Sequence, residues 1–578
     1  MKLKLLYRIA LWATVCGVFG IIADFGFDYN QNPQVFFNDF YLTVLTISVI
    51  ASASRYIERK LKIKLRVLIF DLLSFFFTLW VLYIFLFKGI VYQNLDFIQS
   101  HHWIKLAIVL SFIREFSEVR LNYTRTVLKP AQVFIISFFA IILLGALLLM
   151  LPRATHQGIS FLNALFTSTS AVCVTGLIVV DTATYFTTFG QTIIMLLIQI
   201  GGLGILTFAS YFSYFFKGGA SYENQLALSD MTSNKVGEVF NTFKYILLIT
   251  FLIEAFSALL IYFSLPADGI AVNDRIFFAG FHAVSAFCNA GFSTLTNNLF
   301  ETGFSSNYWL QLVIIFTFVM GGLGFSIVSN IVSYARYLLK RLAFWQKRPS
   351  SYRPWVLNLN SRITLITTLS ISAVAFVIYF FMEYNHTLQG HSGFGKFVTA
   401  LFGATTPRTA GFNTVDMSKL AFPTTMLILL LMWVGASPAS TGGGIKTTTF
   451  AIATLNIVSV ARGKNRLEIF RREIADTSVR RAFAIIALSL AVIGFGIMAI
   501  AVFDSDKTLL SIAFECFSAY STVGLSLGIT ADLSAMSKLI IIAIMFIGRV
   551  NTLTILMAVV TTNKHRFYRY PKEELTIN

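Results

Sequence analysis

"AVCVTGLIVVD", residues 171–181, is a run of small residues carrying Gly and Thr inside a chain that is otherwise apolar enough for lipid. Three near-copies follow: "AFCNAGFSTLT" from 286, "PRTAGFNTVD" from 407 and "AYSTVGLSLGI" from 519. They align on Gly176, Gly291, Gly411 and Gly524, each followed by a large apolar residue (Leu177, Phe292, Phe412, Leu525). The glycines recur at intervals of 115, 120 and 113 residues, and a regular period points to repeated architecture.

Outward from each glycine the hydropathy reads as one unit: a long apolar span, a shorter amphiphilic stretch ending at the glycine, and a second long span. The stretches are 132–151, 160–171 and 187–216; 243–265, 274–287 and 308–334; 363–382, 392–406 and 420–457; and 482–503, 506–519 and 539–560. A capping-type residue (Ser160, Asp274, Ser392, Asp506) opens each short stretch, so each is expected to be a short helix. From cap to glycine is 16, 17, 19 and 18 residues, too few for a hairpin crossing the whole ~30 Å hydrocarbon core. Non-helical backbone at membrane depth survives only where protein shields it or where it lines a watery cavity. The four motifs are therefore expected to meet around a pore.

The composition agrees. With 56% hydrophobic and 12% charged residues and a mean hydropathy of +0.74, the chain reads as an all-α polytopic membrane protein. The net charge of +18 sits in the loops 55–66, 336–353 and 461–472, whereas 23–41 holds three Asp and no Lys or Arg. That is the positive-inside pattern rather than a nucleic-acid surface, and it puts both termini in the cytoplasm. The first twenty residues read as a retained helix, because no small-x-small cleavage site follows them. Cys16, Cys173, Cys288 and Cys516 form no C-x-x-C pair and read as small buried thiols. The expected organisation is an N-terminal membrane extension, 1–130, with up to four helices (about 9–23, 40–54, 67–88 and 103–116). Pore repeats follow at 131–220, 240–335, 362–460 and 480–562, and a cytoplasmic tail at 563–578.

A dehydrated cation needs about the oxygen shell it leaves in water, and converging backbone carbonyls supply one. The expected potassium filter is Cys173, Val174, Thr175 and Gly176; Cys288, Asn289, Ala290 and Gly291; Arg408, Thr409, Ala410 and Gly411; and Ser521, Thr522, Val523 and Gly524. Side chains differ between the loops while backbone oxygens persist, so coordination falls chiefly to carbonyls. Asp181 and Asp416, five residues past their glycines, read either as cation attractors in an outer vestibule or as loop caps. "QIGGLG" (199–204) and "VMGGLG" (319–324) suit closely packed inner helices. In the third unit "GASPASTGGGIKTTT" (435–449) breaks the span, since Pro438 lacks a donor and three successive glycines raise the entropic cost of helix. Its residues Gly435, Ser437, Ser440, Thr441, Gly442, Gly443, Gly444 and Lys446 are the expected gate, below the filter. In the fourth unit "FIGRVNTLT" places Arg549 in mid-span, where a guanidinium needs a cavity or a partner; the loop carbonyls are the expected partner.

The four glycine loops, "STGGGIKTTT" and "GRVNTLT", in this order over about residues 130–560, resemble the Ktr/Trk and plant HKT superfamily of potassium transporters. The nearest likeness is to the membrane subunit of bacterial Ktr systems. The resemblance implies potassium uptake across a bacterial inner membrane, four pseudo-repeats in one chain, a homodimer, and a cytoplasmic nucleotide-binding regulatory ring of the KtrA/TrkA kind. It also implies that glycine in all four loops goes with potassium, so Gly176 favours K+ over Na+ as cargo. A sodium-permeable or sodium-coupled alternating-access transporter is the alternative. Residues 1–130 exceed typical bacterial members; "AIVLSFIREFSEVR" (107–120) carries only Arg114 within the membrane part, too little for a voltage sensor. An intramembrane enzyme is not expected: H-E-x-x-H is absent, the G-x-S-x-G string at 524–528 lies in the fourth glycine loop and is not read as a nucleophile elbow, the seven His are scattered, and no organic cofactor is implied.

Overall fold

The computed structural model describes residues 2–27, 34–58, 65–86, 101–117, 130–204, 239–265, 272–343, 358–438, 440–464, 466–550 and 552–559. The fold is all-α and polytopic. Helices α1 (Lys2–Gly26), α2 (Gln34–Glu58), α3 (Leu65–Leu86) and α4 (His101–Ser117) form an N-terminal bundle around a core of Tyr41, Leu45, Val81 and Ile108. Inside it Arg55 pairs with Glu115, and Arg114 donates to Ser48 Oγ at 2.9 Å. The bundle meets the remainder through Phe25, stacked on Phe189 with centroids 6.4 Å apart.

Each unit then contributes an outer helix, a short re-entrant helix and an inner helix. In the first unit these are α5 (Pro130–Leu149), α6 (Phe161–Val172) and α7 (Thr188–Leu203). The second has α8 (Val239–Ser264), α9 (Val272–Cys288) and an inner pair, α10 (Tyr308–Leu323) and α11 (Phe325–Ala343). The third has α12 (Leu359–Glu383), α13 (Gly393–Thr405), α14 (Phe422–Trp433) and α15 (Thr447–Ala461). The fourth has α16 (Asp476–Phe503), α17 (Leu509–Ser521), α18 (Ala535–Val550) and α19 (Thr552–Val559). Among the described residues α1, α2, α8, α12 and α16 are long and apolar enough to cross a membrane, and α10 with α11 form a bent sixth candidate.

The units close into a ring. Each inner helix packs against the re-entrant helix of the next unit: α7 on α9, α10 on α13, α14 on α17, and α18 back on α6. Separate apolar cores fill the seams, such as Phe166, Phe281 and Met545 where the fourth, first and second units meet. Phe318 and Phe402 join the second unit to the third, and Met432 and Phe514 the third to the fourth. The re-entrant helices lie inside this ring with most of their last two turns buried, which is how short helices persist at membrane depth.

Several expectations need correction. Ser160 and Ser392 cap their helices, accepting from Asn163 N at 3.3 Å and Gly395 N at 3.2 Å. Asp274 instead lies in the first turn of α9, and Thr508 rather than Asp506 caps α17. The second unit's inner span is not continuous over 308–334: Gly324, with φ of +84°, ends α10, and the chain turns through 109°. Likewise α7 ends at Gly204, φ +78°, and the remainder of the expected 187–216 span lies outside the described residues. Interruption of the inner helix is therefore shared by the second and third units and is not peculiar to the third. Cys16 is exposed, on the outer side of α1, while Cys173, Cys288 and Cys516 are buried and free. The 563–578 tail and much of the 336–353 loop fall outside the described residues.

Candidate functional site

The re-entrant helices deliver their C-terminal ends to one place, and the loops that follow share a backbone design. The residue two before each glycine is left-handed: Val174 (φ +58°), Asn289 (+60°), Thr409 (+78°) and Thr522 (+51°). The glycines are left-handed too, at +87°, +69°, +78° and +91° for Gly176, Gly291, Gly411 and Gly524. Between them, amides turn back to the helix: Thr175 N to Ser170 O, Ala290 N to Ser285 O, Ala410 N to Thr406 O and Val523 N to Ser518 O, at 2.7–2.9 Å. Hydroxyls brace the next peptides, with Ser170 and Ser518 accepting from Gly176 N and Gly524 N at 3.0 Å. Ser285 and Thr406 donate to Phe292 O and Phe412 O at 2.7 and 2.5 Å.

With the amides committed inward, the carbonyls face the neighbouring loop. A Cβ added to Gly176 would run into Ala290 O; one on Gly291 would lie 3.1 Å from Ala410 O; one on Gly411 would meet Val523 O; and one on Gly524 would meet Thr175 O. Those four contacts close a circuit through all four units in order. Only glycine tolerates both the left-handed φ and that approach. Thr175, Ala290, Ala410 and Val523 are completely buried, and their carbonyl oxygens accept no hydrogen bond from any described residue. A buried carbonyl without a donor is costly, and four facing one another form an oxygen-lined ring. The helix C-termini beneath add partial negative charge.

The side chains of the expected filter residues point elsewhere. Arg408 reaches α12, at 3.4 Å from Thr368 O and 3.3 Å from Ser372 Oγ, and contacts Gly435 O at 3.5 Å. Cys288 Sγ lies 3.9 Å from Gln199 Oε1. The Asn289 amide, turned so that its nitrogen donates to Phe318 O and Ala286 O, accepts the Thr409 hydroxyl at 3.1 Å and links the second loop to the third.

The 435–446 segment lies against the inner side of this ring. Val434 and Ile445 form a parallel bridge that closes its neck. Gly443 N donates to Thr522 Oγ1 at 3.0 Å, Thr441 Oγ1 to Phe287 O at 3.3 Å, and Ser437 N to Gly322 O at 3.1 Å. Lys446 Nζ turns back to Gly442 O at 2.6 Å, and Ser440 Oγ to Ser437 O at 2.6 Å. Gly442 packs against Thr409, and Gly444 lies beside Ser521. Arg549 donates to Thr441 O of this segment, as its sequence position implies, and also to Gly201 O at 2.5 Å. One guanidinium thus joins the fourth, third and first units.

On the other side of the ring a cavity of about 320 Å³ is lined by all four glycines together with Asp181 and Asp416. Both aspartates cap their own turns: Asp181 accepts from Ala183 N and Thr184 Oγ1, and Asp416 from Ser418 N and Oγ. Burial alone would raise the Asp416 carboxyl, but bonds from Ser418 and the charge of Lys419, 3.6 Å away, hold it below the usual carboxylate range. The aspartates are loop caps that line this cavity.

A family model described as "TrkH: Cation transport protein" matches residues 97–569. The chain belongs to the TrkH family. TrkH-family relatives include the "Ktr system potassium uptake protein B" of Bacillus subtilis, 39% identical over 450 residues, covering 77% of this chain and 96% of that protein. The "Potassium/sodium uptake protein NtpJ" of Enterococcus hirae is 35% identical over 460 residues, with coverages of 78% and 97%. The potassium transporter TrkH from Vibrio parahaemolyticus superposes with a TM-score of 0.61 over 86% of this chain and 99% of its own, at 16% identity, and so supports the fold. A TrkH-family chain is a multi-pass cation transport protein, not an enzyme. The family match begins at residue 97, so α1–α3 lie upstream of it.

One group of site residues escaped the sequence reading. The hydroxyls Ser170, Ser285 and Ser518 recur six residues before their glycines, a detectable signal within the period already found. Gly201 and Gly321, read from the sequence as packing glycines, and Gly548 press the inner helices onto Val172 O, Phe287 O and Tyr520 O, at the C-terminal ends of three re-entrant helices. Because Gly548 is helical, an added methyl there acts by steric overlap alone. Gly548→Ala is expected to destabilise the fold by about 1–3 kcal/mol, measured as earlier loss of the monodisperse peak after heating in detergent; a peak as durable as the parent's removes this packing contact.

Proposed function

We propose that the chain is the membrane subunit of a potassium uptake system, in which K+ exchanges its water for the ring of carbonyl oxygens from Thr175, Ala290, Ala410 and Val523 and their neighbouring peptides. The carrying observation is that these four buried carbonyls face one another without a donor among the described residues. The relatives' printed function, potassium uptake, supports the same reading. Cys173 to Gly176, Cys288 to Gly291, Arg408 to Gly411 and Ser521 to Gly524 are assigned to the filter, and 435–446 with Arg549 to the gate. The division into an extension (1–130), four pore repeats and a tail is part of this proposal. So are the bacterial inner membrane, cytoplasmic termini, a homodimer, and a cytoplasmic nucleotide-binding ring that pulls on the gate.

The test is ion flux in proteoliposomes holding the purified chain, with reversal potential read in mixed K+ and Na+. Potassium is expected to set the potential; a potential that follows sodium equally removes the filter assignment. Sodium coupling is the second reading, favoured by the printed name of the Enterococcus relative. It predicts that K+ flux into sodium-free vesicles rises when external Na+ is added.

A further inference from the structure

Nine residues before each filter glycine, on the inner face of each re-entrant helix, stand Thr167, His282, Phe402 and Glu515; two residues after each glycine stand Ile178, Ser293, Asn413 and Ser526. In the second and fourth units these positions touch. His282 Nε2 lies 2.9 Å from Ser293 Oγ, while Nδ1 lies 2.9 Å from Phe278 O. A carbonyl can only accept, so Nδ1 carries the hydrogen of the neutral ring and Nε2 accepts from Ser293. Glu515 accepts from Ser526 Oγ and, at 3.0 Å, from Thr530 Oγ1. Ser526 also receives Gly528 N at 2.8 Å, so the carboxylate fixes the whole turn leaving the ring.

Both acceptors are completely buried. Neither belongs to the filter, the gate or the vestibule lining. In the first and third units the equivalent pairs form no such link: Ile178 and Phe402 have no hydrogen-bonding side-chain atom, Thr167 Oγ1 finds no partner among the described residues, and Asn413 donates to Val415 O within its own loop. The two linked units face each other across the ring, because the units close in chain order.

We propose that Glu515 and His282 are positioning residues of the ion filter, two struts on opposite sides that hold the chain leaving Gly524 and Gly291 and so set the width of the carbonyl ring along that diagonal. This rests on the proposed potassium filter. A hydrogen bond holds its partners to a defined separation, and the distinction between K+ and Na+ depends on how firmly the carbonyl cage is held and how many oxygens it presents. The first and third loops lack this strut and are left freer to follow the ion.

The experiment is the K+/Na+ permeability ratio of the full chain in proteoliposomes, with inserted protein and heat resistance measured alongside. Glu515→Ala is expected to lower the ratio about tenfold, the scale of losing two hydrogen bonds to a buried acceptor. Glu515→Gln retains an acceptor oxygen for Ser526 and is expected to stay near the parent. Ser526→Ala and Ser293→Ala leave the acceptors in place and remove the donors, so they decide the matter if Glu515→Ala does not insert; each is expected to lower the ratio several-fold. Thr167→Val, at the equivalent unlinked position, is expected to leave it unchanged. The proposal is overturned if Ser526→Ala and Ser293→Ala keep the parent ratio, or if Glu515→Gln loses as much as Glu515→Ala. A parent that does not discriminate K+ from Na+ overturns the filter reading together with the struts, whereas a selective parent with equally selective variants overturns the struts alone.

Discussion

Gly176→Ser is expected to lower the preference for K+ over Na+ by about tenfold or more. Two costs coincide at this residue. Its φ of +87° is a left-handed conformation that costs a residue bearing a Cβ about 1–2 kcal/mol. The new Cβ would also occupy the position of Ala290 O, the oxygen that the neighbouring loop contributes. One of the two loops must yield, and about 1.4 kcal/mol of lost discrimination is a factor of ten. The serine hydroxyl adds an oxygen on a rotatable bond, which adapts to a smaller ion where a fixed carbonyl does not. Gly158→Ser separates strain from ring geometry, because Gly158 has a φ of +77° and nothing within 4 Å of an added Cβ. It is expected to leave the ratio untouched. Reversal potentials in mixed K+ and Na+ read both variants; a Gly176→Ser protein as selective as its parent would dismiss the ring as the selective element.

What the sequence disclosed follows from where backbone demands are local. The four filter glycines were legible because a left-handed residue pressed against a neighbouring chain admits little else, and the same demand recurs with the repeat. Ser160 and Ser392 were legible as caps for the same kind of reason: their hydroxyls serve an amide three residues on. Asp506 misled because Thr508, two residues later, offers a competing hydroxyl with the same reach. The break in the third inner helix was announced by Pro438 and three glycines. The end of the first inner helix at Gly204 and the break in the second were not, since "QIGGLG" and "VMGGLG" serve close packing and helix termination at once. Gly201 and Gly321 press on carbonyls within the helix, while Gly204 and Gly324 end it. The contact of Arg549 with the first unit carries no local signal. Gly201 O and Arg549 stand 348 residues apart, and only closure of the ring brings them within 2.5 Å.

That contact sets the second large expectation: Arg549→Ala should raise basal K+ flux in the absence of any cytoplasmic partner. The guanidinium holds Thr441 O of the 435–446 segment and Gly201 O of the first inner helix, so it keeps the segment against the inner side of the ring. Hydrogen bonds from a charged donor contribute about 1.5–3 kcal/mol each. Losing both weakens the closed arrangement by about 3 kcal/mol or more, which is roughly a hundredfold in the equilibrium between closed and open. Removing the charge acts in the same direction, since a cation 4 Å from a fixed positive charge meets a barrier of about 4 kcal/mol at an effective dielectric of 20. Arg549→Lys tells the two apart. An ammonium keeps the charge but cannot span both carbonyls with the planar fork of a guanidinium. If the tether dominates, the lysine variant leaks nearly as much as the alanine variant; if the charge dominates, it stays as tight as the parent. Tracer uptake into proteoliposomes, normalised to inserted protein, reads all three. Should Arg549→Ala admit K+ no faster than the parent, the segment beneath the ring is not held shut by this residue, and the gate must be sought elsewhere along the inner helices.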